Sequence, residues 1–121
     1  MKAETDVNSV YADLEYKNFE EMETKADLVI AISNEIKKKK LTQIKAAKTL
    51  GISQPKLSEL LNGHFRGYSV ERLIHFLNEL GKDVDIVIRS KPKSRRGRVN
   101  VYSSNHSNTS VSIAAKVRDI L

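Results

Sequence analysis

The chain of 121 residues has no cysteine, no tryptophan, 2 prolines and 5 glycines. Without cysteine there are no disulfides, no thiolate nucleophile and no zinc–thiolate centre, which fits a reducing compartment such as the cytoplasm. Its three histidines, His64, His75 and His106, are scattered without metal-ligand spacing. The few glycines form no phosphate-cradling loop, and no serine sits in a nucleophile-elbow context. The longest apolar run, Leu28 to Ile32, falls far short of the roughly 20 residues a membrane span needs. A polar, acidic stretch follows Met1 and Lys2 where a signal peptide would carry its apolar core. The triplets Asn105-His106-Ser107 and Asn108-Thr109-Ser110 therefore carry no weight as glycosylation sites. Asp83 and Asp85 could be drawn as a carboxylate pair, but their alternation places both on the polar side of an extended segment. The inventory points to a protein that is not an enzyme and uses no metal or cofactor.

What is present is charge, unevenly placed. Charged residues make up 30% of the chain and apolar ones 40%, enough for one small core. The net charge of +6 makes a polyanion the first partner to consider. Residues 1–24 hold 7 acidic and 2 basic groups, residues 25–90 hold 12 basic and 7 acidic, and residues 91–121 hold 7 basic and only Asp119 acidic. The chain divides accordingly into an acidic N-terminal segment, a central domain and a basic tail. Such asymmetry speaks of separate contact surfaces rather than of fold.

Periodicity in the central domain predicts four helices and a strand. Thr24 with Asp27 resembles a capping box and opens a helix to about Lys39, with Leu28 or Val29, Ile32 and Ile36 as its apolar stripe. The lysines 37–40 crowd its last turn, where cations complement the helix dipole. Thr42 caps a second helix from Gln43 to Leu50, closed by Gly51, with Ile44, Ala47 and Leu50 on one face. Ser53 caps a third, Gln54 to about Leu61, which tolerates Pro55 in its first turn. Ser69 caps a fourth whose buried stripe is Val70, Leu73, Ile74, Leu77 and Leu80, ended by Gly81. His75 lies outside that stripe. From Asp83 to Arg89 the period changes to two, with Val84, Ile86 and Ile88 alternating with polar positions, as in a strand. A lone strand cannot satisfy its own backbone, so it must pair with the weakly alternating Arg98–Tyr102 or with its copy in a homodimer.

Two short helices separated by Leu50-Gly51-Ile52-Ser53 have the dimensions of a helix-turn-helix. The marks Leu41-Thr42-Gln43, Ala46-Ala47, Leu50-Gly51-Ile52-Ser53-Gln54, Leu57-Ser58 and Leu61-Asn62-Gly63 resemble the phage-repressor, or Xre/Cro-like, helix-turn-helix family. A closer resemblance spans about Val10 to Pro92. It rests on Tyr11-Ala12-Asp13-Leu14, Lys25-Ala26-Asp27-Leu28, Tyr68 to Leu73 and Leu80 to Ile86. These are similar to a small Xre-type subfamily with many HigA-like antitoxins of toxin–antitoxin operons. The resemblance implies a mostly helical, repressor-like bundle of four or five helices followed by one β-strand that pairs across a homodimer.

By helical projection Leu57, Leu60 and Leu61 of the third helix point inward and Pro55, Ser58, Glu59 and Asn62 outward, with Gln54 and Lys56 on the flanks. The family's pattern places Gln54, Pro55 and Glu59 at base-reading positions. Gln54 suits adenine, Glu59 the amino group of cytosine, and Pro55 only an apolar contact such as a thymine methyl. Pro55 replaces the polar residue common at that position in phage repressors. Lys56 and Ser58 suit bases or phosphates equally. Gln43 stands where the family contacts a phosphate, beside free amides of a helix start, with Thr42, Ser53, Asn62, His64 and Arg66 as further phosphate candidates. The whole reads as a DNA-binding transcriptional repressor acting on a pseudo-palindromic operator. It is an autoregulating antitoxin whose acidic head faces a basic toxin, or else a toxin-binding protein with secondary DNA binding, or a solitary regulator. RNA binding through the tail lacks an aromatic stacking platform. Within 91–121 a terminal helix from Ser110, with Ile113, Val117, Ile120 and Leu121 on one side, is also expected.

Overall fold

A computed structural model describes residues 2–103, the side chains of residues 2–14 and 16 excepted. Its elements are α1 (Lys2–Lys38), α2 (Gln43–Leu50), α3 (Gln54–Leu61) and α4 (Val70–Glu79). The second, third and fourth helices fall where periodicity and caps place them. The first does not begin at Thr24. Nothing upstream stops it: the first glycine of the chain is Gly51 and the first proline Pro55, and Glu, Lys, Ala, Leu and Met are good helix formers. Thr24 therefore sits inside the helix, and its hydroxyl donates to the Glu20 carbonyl one turn back, at 3.0 Å, instead of capping an end. At 1.5 Å per residue the 37 residues of α1 extend roughly 55 Å. The acidic stretch is the first part of this helix.

All four helices close in the same way, with paired bonds from two consecutive residues just beyond the helix back to its last turn. After α2, Gly51 donates to Lys48 at 3.2 Å and Ile52 to Ala47 at 3.1 Å. Gly51 holds φ 72°, the left-handed conformation, where an L side chain is strained. Gly63 and Gly81 close α3 and α4 likewise. After α1 the same pair of bonds, Lys40 to Lys37 and Leu41 to Ile36, is made with Lys40 at φ 56°.

The core is built from Leu28, Val29, Ile32 and Ile36 of α1, Ala46, Ala47 and Leu50 of α2, Leu57 and Leu60 of α3, and Leu73, Phe76, Leu77 and Leu80 around α4. Helix α1 packs on α4 and α3, and α2 on α3 and α4. Phe76, absent from the expected stripe, is 2% exposed and is met edge-on by Tyr68, with ring centroids 6.0 Å apart. Arg72 lies over both rings, 4.9 and 5.5 Å from their centroids. Ile44, expected beside Ala47 and Leu50, is 66% exposed. Its Cα lies roughly 110° around the helix from the centre of the buried arc, which Ala46, not Ile44, completes. His75 is exposed and pairs with Glu79 at 3.3 Å.

Among the described residues there is no strand. The expected one, with Val84, Ile86 and Ile88, is irregular backbone. Val84 is half-buried against the core, whereas Ile86 and Ile88 are exposed. The Arg98–Tyr102 segment attaches to the same core through Val101. Val84 and Val101 pack these segments against the helices, and without a ladder of backbone bonds alternation alone does not make a strand. The helix expected from Ser110 lies outside the described residues, as do Asn105, His106 and Asn108.

The helix ends make a stability test. A Cβ on Gly51 would meet nothing within 4 Å, so Gly51→Ala carries backbone strain alone and is expected to cost about 1 kcal/mol. Lys40→Gly removes such strain and is expected to stabilise by about 0.5 kcal/mol, net of the greater freedom of an unfolded glycine. Urea denaturation of both variants checks the opposite signs.

Candidate nucleic-acid interface

The candidate surface starts with two caps. Thr42 and Ser53 both have extended backbone, and each hydroxyl accepts from the amide three residues on, Lys45 at 3.2 Å and Lys56 at 3.3 Å. Each hydroxyl keeps its own proton to donate outward. Leu57 and Leu60 are fully buried, which sets the rotation of α3 about its axis. Gln54, Pro55, Lys56 and Glu59 are thereby exposed, and Ser58 is half-buried. Between Thr42 and Asn62 the chain carries Lys45, Lys48 and Lys56 against one carboxylate, Glu59, so this segment has a positive balance.

The helix starts meet through a pair of glutamines. Gln54 Nε2 donates to Gln43 Oε1 at 2.8 Å, both residues being exposed. Gln54 retains its carbonyl oxygen and a second amide proton. This donor–acceptor set matches the N6 and N7 edge of adenine, with the side chain already held. Sequence reasoning gave these residues separate duties; the structure makes them one unit.

The other expected positions divide. Asn62 is exposed, but its Nδ2 donates to the Ser58 carbonyl at 2.9 Å, so its amide closes its own helix. His64 and Arg66 are exposed in the loop after α3. Val84, Ile86 and Ile88 belong to a separate segment beyond α4. A shallow concavity of about 690 Å³ elsewhere is lined by Lys17 of α1 and by Lys91, Lys93, Arg95 and Arg96.

Two charged residues of α1 escaped sequence reasoning. Lys25 and Glu35 are buried, and Lys25 falls four, seven and eleven residues before Val29, Ile32 and Ile36, on the same stripe. A charge at an apolar position of a helical period was the available signal. Glu35 pairs with Lys82 at 3.4 Å. Lys39 Nζ donates to the Leu80 carbonyl, so the ends of α1 and α4 are tied from both sides. Among the described residues no group of three or more His, Asp or Glu side chains could hold a metal ion.

A family model described as a helix-turn-helix domain matches residues 10–89. The chain belongs to the helix-turn-helix family. The matching solved structures include one described as an XRE family transcriptional regulator. It is 48% identical, with 70% of this chain and 97% of that chain covered and a TM-score of 0.66. No protein in the curated set matches. An Xre-type helix-turn-helix assigns the chain to DNA-binding transcription regulation. Among the described residues no helix is long and apolar enough to cross a membrane.

Scaffold and surface should separate in this Xre-type domain. Thr42→Ala and Ser53→Ala each remove a cap and are expected to cost about 1 kcal/mol. Gln43→Ala and Gln54→Ala, at exposed positions, are expected to change stability by less than about 0.5 kcal/mol. Thermal denaturation of the four variants tests the division.

Proposed function

We propose that the protein is a sequence-specific repressor of its own operon, acting as a cytoplasmic homodimer, and that it serves as the antitoxin of a toxin–antitoxin pair. The observation that carries the DNA-reading part is the Gln43–Gln54 pair at the exposed start of α3, oriented by two buried leucines. In this reading Gln54, Pro55 and Glu59 read base edges and Lys56 and Ser58 assist. Thr42, Gln43, Ser53, His64 and Arg66 hold phosphates, with Asn62 limited to its second amide proton, since its backbone N–H closes α3. A helix-turn-helix enters the major groove with the N-terminal part of its second helix, which is where these residues lie.

Two further features support the finer parts. Ile86, Val87, Ile88, Val99 and Tyr102 are exposed in two segments that each pack one valine, Val84 and Val101, against the core. A second copy pairing along residues 84–88 would cover them, giving a C2 dimer with recognition helices about 34–36 Å apart. The acidic residues before Thr24 belong to α1, outside the α2–α3 segment in sequence. A basic toxin bound there would be steered by charge.

Fluorescence anisotropy with an upstream-region duplex and a shuffled one, from low to physiological salt, tests the reading. The wild type is expected to prefer its operator by ~10³-fold or more at physiological salt. Gln54→Ala combined with Lys56→Ala is expected to abolish that preference while leaving binding of a co-expressed toxin intact. Equal affinities for both duplexes that collapse together with salt would leave only backbone electrostatics and favour a protein-binding role.

A further inference from the structure

The loop from Gly63 to Tyr68 carries Arg66, which the proposed function uses as a phosphate ligand, and the inference here rests on that reading. Within the loop Tyr68 N–H donates to the Phe65 carbonyl at 3.0 Å, and Phe65 and Tyr68 are half-buried against the core. Arg66 and Gly67 between them are exposed. What reaches them comes from α1. Lys25 Nζ donates to the Arg66 carbonyl at 3.1 Å, a contact between residues 41 apart in the chain. Its other partner is Glu21 Oε1, at 3.5 Å one turn earlier on α1.

The Lys25 side chain is 8% exposed, whereas that of Glu21 is 57% exposed. Burying an ammonium is expensive, and the gain from an ion pair with a mostly hydrated carboxylate is small. An apolar side chain of similar length would fill this place on the α1 stripe at no greater cost. Contribution to stability therefore gives little reason for a lysine here. Placement of the loop gives a specific one. Fixing the Arg66 carbonyl fixes the plane of the peptide that follows Arg66, and so restricts the loop conformations from which the Arg66 side chain can leave the backbone. A phosphate ligand held in advance loses less freedom on binding than one on a free loop.

We propose that Lys25 is a positioning residue for DNA binding: from inside the core it holds the Arg66 loop in the conformation that meets the phosphate backbone. Lys25 itself does not touch DNA. Its effect runs through Arg66, so the two substitutions should not add.

The test is a double-mutant cycle on the full chain with Lys25→Met, Arg66→Ala and the combined variant, using the operator duplex across a salt series. Arg66→Ala is expected to lower the magnitude of the slope of log K against log salt by about 1. Lys25→Met is expected to lower it by a similar amount without lowering the melting temperature, and the combined variant to fall no further than Arg66→Ala. A wild-type slope for Lys25→Met beside a reduced slope for Arg66→Ala would overturn the positioning role and leave the interface standing. An unchanged slope for Arg66→Ala would instead remove Arg66 from the interface, and the proposal with it. Lys25→Gln, polar but too short to make the same reach, provides a second variant. Loss of folding in both would assign Lys25 to stability and overturn the proposal.

Discussion

The contact on which the rest depends is the packing of α2, whose Ala46 and Ala47 are buried, on α3, whose Leu57 and Leu60 are fully buried. Side chains this small let the two helices cross near their backbones, and Gly51 turns the chain between them in a conformation that few residues tolerate. Crossing and turn together leave α3 little freedom of rotation. The outward direction of Gln54 to Glu59 is a consequence of what is buried behind it, and a larger residue at Ala46 or Ala47 would tilt the reading face before touching any of its residues.

Around that crossing the structure ties charge to shape. The mutual anchoring of α1 and α4 through Glu35–Lys82 and Lys39–Leu80 frames the end of the bundle away from the loop after α3. Arg72, over Tyr68 and Phe76, links the start of α4 to that loop through its aromatic contacts. Lys25 approaches the same loop from α1. Residues 63–68 are thus approached from two helices, although the loop is short and much of it exposed.

The charge distribution gains meaning from α1. On paper the acidic head is a segment before a domain. In the fold it is continuous with a helix whose later turns form the core, so a partner that grips the acidic turns also grips an element packed on α3 and α4. The basic residues after α4 form a surface of their own beside Lys17. Within residues 25–90 the excess of basic groups is shared between the end of α1, with its lysines 37–40, and α2, α3 and the loop that follows.

Caps, stops and period were legible in the chain itself: Thr42, Ser53 and Ser69 start helices, Gly51, Gly63 and Gly81 end them, and the leucines of α3 mark its inner side. These signals are local, set by hydrogen bonds and backbone strain within a few residues, which is why they can be read without a partner. The outward direction of Gln54, Pro55, Lys56 and Glu59 was likewise accessible from helical projection. Other features were settled only by tertiary structure. Whether residues 83–89 form a strand depended on a partner that their own alternation cannot supply. The Gln43–Gln54 bond joins residues 11 apart, and the Lys25–Arg66 bond residues 41 apart. Such pairings follow from how helices cross, and crossing is decided by the volumes buried between them.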